Sequence, residues 1–212
     1  MAANKAWERG RASRRSSETR ERRRVLILCE DCKSSCFYFR GFKIAPERAE
    51  VLTVGMGMNT DSLVEEAIRR KAEAVELGSP YHEVWCVFDR DDFPLANYHR
   101  AFELARAQGL KIAWANQAFE LWYLLHFNYH DTAISRHNYK AKLTPHCHYE
   151  KTDKEIYQKV KPHEATALRN AQRLERHWNE LGEKYPERQN PSTSVHRLVE
   201  FLNDLADLGS AQ

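Results

Sequence analysis

Four short apolar runs divide the first half of this 212-residue chain, and they constrain its fold more than any other feature. They are Val25-Leu26-Ile27-Leu28-Cys29, Val51-Leu52-Thr53-Val54, Glu83-Val84-Trp85-Cys86-Val87-Phe88 and Leu110-Lys111-Ile112-Ala113-Trp114-Ala115. A continuous apolar run flanked by charge fits a strand covered on both faces, the pattern of a parallel sheet. The stretches between the runs carry helical signals. Residues 34–43 hold aromatics at 37, 38, 39 and 42, and Asn59 or Thr60 caps a stripe of Leu63, Val64, Ala67, Ile68 and Val75. Pro94 opens a third helix that Gly109 stops. Alternating strand and helix over residues 25–115 predicts right-handed βαβ units: an α/β fold, Rossmann-like, with a mostly parallel four-stranded sheet flanked by helices.

Beyond residue 115 the alternation ends. Residues 119–127 are almost wholly apolar, which predicts a buried helix, and 128–150 read as a polar, irregular, His- and Tyr-rich excursion. Two helices, about 152–182 and 191–207, form a C-terminal helical extension, with Val195, Leu198, Val199 and Leu202 at helical spacing. The expected organisation is a basic disordered arm (1–23), an α/β core (24–127) and an irregular segment plus packing helices (128–212). A chain that is 42% hydrophobic and 30% charged supports a packed core rather than wholesale disorder. No run approaches the roughly 18 apolar residues of a membrane span, and the basic, polar N-terminus gives no support to secretion.

The net charge of +3 conceals an asymmetry. Residues 1–24 carry nine basic and three acidic side chains, a net of +6, which leaves the remainder at −3. Such an arm, ending in Arg22, Arg23 and Arg24, suits phosphate contact, because each paired cation releases condensed counterions. A solvated leader is the other reading. Five cysteines with no regular framework predict reduced thiols and a cytoplasmic setting. Cys29, Cys32 and Cys36, with His146-Cys147-His148, leave zinc open, against buried cysteine acting as a small hydrophobe. No Walker A pattern is present: Gly55-x-Gly57 lacks the third glycine and the lysine.

In open α/β sheets, active groups gather past the carboxyl ends of the strands. Strand one runs into Glu30-Asp31, strand three into Asp89-Arg90-Asp91-Asp92, and strand four into Asn116, with Glu120 soon after. Asp89 and Asp91 project to one side of an extended chain. Hard carboxylate oxygens in an open position suit Mg²⁺ or Mn²⁺, and without an ion they repel. A solvated loop of acids is the bland alternative.

These residues carry a resemblance. An acid ending the first strand, followed by an apolar strand into Asp-x-Asp, is similar to the Toprim pattern of topoisomerases, primases and overcoming-lysogenisation-defect nucleases. The wider series VLILCEDCKSSCFYFRGF, VLTVGMGMNTDSLVEEA, VWCVFDRDDF, ANQAFELWYLLHF and NPSTSVHRLVE resembles the RloB family, Toprim-like proteins of bacterial restriction and abortive-infection loci. The similarity spans about residues 23–202.

The resemblance implies that Glu30 is the Toprim glutamate, that Asp89 and Asp91 bind metal, and that Glu120 and His126 are site residues. It matches Lys33 to a basic position after the first glutamate. The family's usual Glu-Gly-Glu-Lys-Thr-Glu-Pro is here Glu30-Asp31-Cys32-Lys33-Ser34-Ser35-Cys36, without the second glutamate. Where the family often has Asn-Pro, only Asn116 matches.

The implied activity is Mg²⁺-dependent phosphodiester hydrolysis of DNA or RNA in anti-phage defence, beside an ATPase partner. Glu30 would ligate metal or act as general acid or base. Lys33 would neutralise a phosphate oxygen, or be a solvated lysine at a helix start. Glu120 serves the site or braces its helix. His126 lies roughly 600° beyond Glu120 on the helix, off its face, which favours a structural histidine. Residues 190–194 form a helix boundary whose amides, with His196 and Arg197 nearby, also suit phosphate. The residues around 137–142 (His137, Tyr139, Lys140, Lys142) suit a nucleic-acid or partner surface. The competing function is a non-catalytic effector subunit that binds the ATPase through the same scaffold.

Overall fold

The computed structural model describes residues 22–90 and 94–207. Asp91 and residues 1–21, nearly all of the expected arm, lie outside the described residues.

The chain forms an α/β sandwich around one sheet of order β2-β1-β3-β4-β5. The strands are β1 (Arg23–Cys29), β2 (Ala49–Gly55), β3 (Glu83–Arg90), β4 (Lys111–Asn116) and β5 (Ser192–Thr193). The first four are parallel, as expected, and the fifth is a two-residue antiparallel addition at the β4 edge. Helices α1 (Ser34–Arg40), α2 (Thr60–Glu76) and α3 (Leu95–Ala107) make the crossovers.

Strand residues alternate between two cores, because successive side chains leave opposite faces of a sheet. Leu26, Leu28, Val84, Cys86, Phe88 and Trp114 pack with α2 and α3. Val25, Ile27, Cys29, Trp85, Val87 and Ala113 face the other way, toward α1 and the later helices. Burial on both sides explains why these strands read as unbroken apolar runs.

The larger second layer is built from α4 (Glu120–Leu125), α5 (Tyr139–Cys147), α6 (Ile156–Val160), α7 (Glu164–Glu180) and α8 (Val195–Asp207). Every residue of α4 is buried, as its uniform apolarity predicts. Tyr38 of α1 sits among the rings of Phe119, Trp122, Tyr123 and Tyr157.

Three expectations need correction. The excursion at 128–150 is not wholly irregular, since it holds a 3-10 turn (Arg136–Asn138) and α5. The helix expected over 152–182 is broken into α6, a 3-10 turn (Lys161–His163) and α7. Pro162 there lacks the amide that would continue an α-helix. The segment opening the last helix is instead β5, and α8 starts at Val195. Its hydroxyls bond along the edge of β4: Thr193 Oγ1 donates to the Trp114 carbonyl (2.8 Å), and the Trp114 amide donates to Ser194 Oγ (3.0 Å). An otherwise open edge is thereby covered.

Candidate active site

The connections leave β1 and β3 in opposite directions. From β1 the chain passes through α1 on one face to β2, and from β3 it passes through α3 on the other face to β4. The gap beyond the carboxyl ends of β1 and β3 is thus the topological switch point, where such sheets build their sites.

Glu30 and Asp89 meet there. The Glu30 amide extends the ladder by donating to the Val87 carbonyl (2.8 Å). By strand alternation Glu30 turns to the α2 side, where Thr60 Oγ1 donates to its Oε1 (3.0 Å). Its Oε2 accepts the Asp89 amide (3.1 Å). Asp89 continues the Trp85–Val87 side of β3, the side on which α4 packs. The two acids are therefore linked directly, from the Asp89 backbone to the Glu30 carboxylate. The positive end of the α2 dipole lies beside Glu30 and favours its negative charge.

Glu120 opens α4 and is buried, where its Oε1 accepts from Ser34 Oγ (2.9 Å) and Tyr149 OH (2.5 Å). Asp31 takes a local role instead. Its carboxylate accepts from the Lys33 amide (2.5 Å), the Ser35 amide (3.2 Å) and Ser35 Oγ (2.9 Å), pinning the start of α1. A pocket of about 220 Å³ is lined by Glu30, Asp31, Asp89 and Glu120, and also by Arg136 and Lys151.

Electrostatics set Asp89 apart. Burial, followed by the charges of Glu120, Glu30 and Asp31, pushes its carboxyl well above the usual carboxylate range, while Arg136 pulls the other way. The Arg136 guanidinium lies 3.9 Å from Asp89 Oδ2, and the Asp89 side chain is 19% exposed. Negative charge on hard oxygen donors is in excess here, which suits a divalent cation that keeps several waters and needs only one or two carboxylates. Among the described residues, no three His, Cys, Asp or Glu side chains are grouped so as to hold an ion by themselves. Asp91 falls outside that description.

Other residues singled out from the sequence are placed elsewhere. Lys33 is exposed and does not line the pocket. Arg22 and Arg23 are exposed at the amino end of β1, about 23–26 Å along the chain from Glu30. Arg24 there pairs with Glu50 (3.2 Å) and lies over the Tyr81 ring. Arg90 lies over Tyr98, on the α3 side.

Asn116 is buried and donates to the Pro186 carbonyl (3.2 Å), bracing a neighbouring turn. His126 is buried, bonded to the Trp122 carbonyl (2.8 Å) and packed against Tyr38, which makes it a core histidine. Cys29 and Cys36 are buried and Cys32 is exposed. His146 stacks on Phe127, while Cys147 is buried against α5's own backbone.

Four participants were missed: Ser34, Tyr149, Arg136 and Lys151. Only Ser34, at the start of a helix following Glu30, had a positional signal. Arg136 and Tyr149 come from the excursion and Lys151 from the residue just after it, and their approach to the site depends on tertiary packing.

A mostly parallel sheet with helices on both faces and carboxylates at its switch point defines an open, doubly wound α/β protein, the class that places its sites beyond the carboxyl ends of the strands. Within that class the chain belongs to the RloB-like protein family, whose model matches residues 25–202. No curated protein and no solved structure matches it. No helix among the described residues is long and apolar enough to cross a membrane.

Proposed function

We propose that this chain is a Mg²⁺- or Mn²⁺-dependent, Toprim-like nuclease that hydrolyses phosphodiester bonds of DNA or RNA. In this reading it acts in the cytoplasm in anti-phage, abortive-infection defence, beside an ATPase partner. The observation that carries the proposal is the convergence of Glu30 and Asp89 at the switch point, joined through the Asp89 amide.

Asp89 and Glu30 would hold the ion, with Asp91 as a further donor. A bound Mg²⁺ would supply Lewis-acid polarisation of the scissile phosphate. Glu30 has both oxygens engaged by fixed donors, so its carboxylate is pre-positioned either as a ligand or to take a proton from an attacking water. Glu120, tied to α1 and to Tyr149, holds the floor of the pocket and adds to the negative field felt by Asp89.

The test is incubation of wild type and Asp89→Ala with tRNA, single-stranded DNA and plasmid, with Mg²⁺, Mn²⁺ or EDTA. Cleavage by wild type alone, and only with metal, is expected, with a loss in the variant on the order of a thousandfold. Equal cleavage by both proteins overturns the assignment. Absence of cleavage in every combination favours the scaffold function.

A further inference from the structure

The segment between α4 and α6, which contains the excursion, lies outside the strand–helix alternation, yet it brings the two cations of the pocket to the carboxyl edge. Each is anchored close to the site. Arg136 is fixed through its backbone, whose amide donates to Gln117 Oε1 (3.0 Å) just past β4, and its side chain is 32% exposed. The α5 residues that follow, Tyr139 and Leu143, are buried in the core and hold that anchor. Lys151 follows Tyr149, whose hydroxyl is bound to Glu120. One segment is thus fastened at two points, one beside β4 and one on α4, with a cation at each.

Carboxylates alone repel a phosphate. The two cations that share the pocket with them supply what those acids lack. Arginine presents a planar fork to two phosphate oxygens, and lysine presents a mobile point charge. The pocket, about 220 Å³, has room for a phosphate group with several waters, each taking roughly 30 Å³.

The geometry points to Arg136 and Lys151 as the phosphate clamp of this protein: they hold the non-bridging oxygens of a phosphodiester against the Glu30–Asp89 wall. This rests on the nuclease reading and deepens it. It moves substrate binding from Lys33 and the β1 arginines to the segment between α4 and α6. Arg136 would exchange its long contact with Asp89 for phosphate when the substrate enters.

The experiment measures binding rather than turnover. A fluorescein-labelled single-stranded oligonucleotide is titrated with the full chain in Ca²⁺, and fluorescence anisotropy is read at several salt concentrations. Arg136→Ala and Lys151→Ala each weaken binding by about tenfold or more, and each lowers the salt slope by about 0.7. Arg136→Lys restores the slope but not the full affinity, because the fork is lost. Lys111→Gln, at the opposite edge of the sheet, changes neither. Both alanine variants must give wild-type melting curves, as expected when only the side chain of Arg136 is removed and its backbone bond to Gln117 remains.

Wild-type affinity and slope in both alanine variants overturn the clamp, as does a wild type that binds no oligonucleotide. Cleavage in Mg²⁺ with unchanged binding leaves the nuclease standing and the clamp overturned. Weakened binding without any cleavage keeps the clamp and overturns the nuclease.

Discussion

Glu120 opens α4 and His126 closes it, yet they meet opposite environments. Glu120 reaches the pocket wall and is paired by Ser34 and Tyr149. His126 turns inward, where burial pulls its pKa from 6.5 down to about 4. The unfolded chain therefore binds a proton that the folded chain resists. Stability contributed by the neutral ring is present above about pH 6.5 and is lost as the pH falls toward 4. Urea unfolding of wild type should lose roughly 2 kcal/mol more than His126→Gln between pH 7.5 and 5. Parallel losses in the two proteins would show that the histidine titrates as in the unfolded chain. The contrast was partly legible: helical geometry separates the two faces, and sequence position marks Glu120 as the residue nearest the strand ends. It could not supply Tyr149, whose bond to Glu120 depends on how the excursion folds back over α4.

At the scale of elements, the strands were legible because burial on both faces leaves a continuous apolar run, and α2 and α3 because turn signals bracket them. Three elements were not. Pro145 lies within α5, which has little amphipathic pattern, so the segment reads as loop. The Lys161-Pro162 break is one residue in an otherwise helical stretch, and β5 is too short to have a period. The α1–α6 contact depends on a similarly local feature. A Cβ on Gly41 would lie 2.2 Å from Cγ and 2.3 Å from Cβ of Tyr157, the rigid base of that side chain rather than its far end. Gly41 has φ of −72°, so the constraint is space alone and not backbone conformation. Gly41→Ala should cost about 1–3 kcal/mol, read as a lower melting temperature. Combined with Tyr157→Ala, the same substitution should cost much less, giving a favourable coupling in the double-mutant cycle. Additive losses would show that the clash is relieved elsewhere.

Over the whole molecule, charge and topology converge on one edge of the sheet. The distribution of charge along the chain separates a basic leader from an acidic body, but it does not reveal that acids near three strand ends share a pocket with two cations from a later segment. Strand order creates that arrangement by sending the chain in opposite directions from β1 and β3. A global consequence follows from Asp89. Its carboxyl is pushed well above the usual range by burial and by Glu120, Glu30 and Asp31, so the folded state holds a proton more tightly than the unfolded state. That contribution to stability is full below the ordinary value of 3.8 and is lost as the pH rises through the raised folded value. In EDTA at neutral or alkaline pH, Asp89→Asn should therefore melt above wild type. Added Mg²⁺ should reverse the order, because an ion that binds only the folded state stabilises it by mass action, about 2.7 kcal/mol at a hundredfold excess over Kd. Asn supplies no charge to hold that ion, so the Mg²⁺ increment should be confined to wild type. Thermal melts of both proteins with and without Mg²⁺ make the comparison. An equal increment in both would place the ion away from Asp89, and no difference in EDTA would mean that Arg136 already balances the carboxylate.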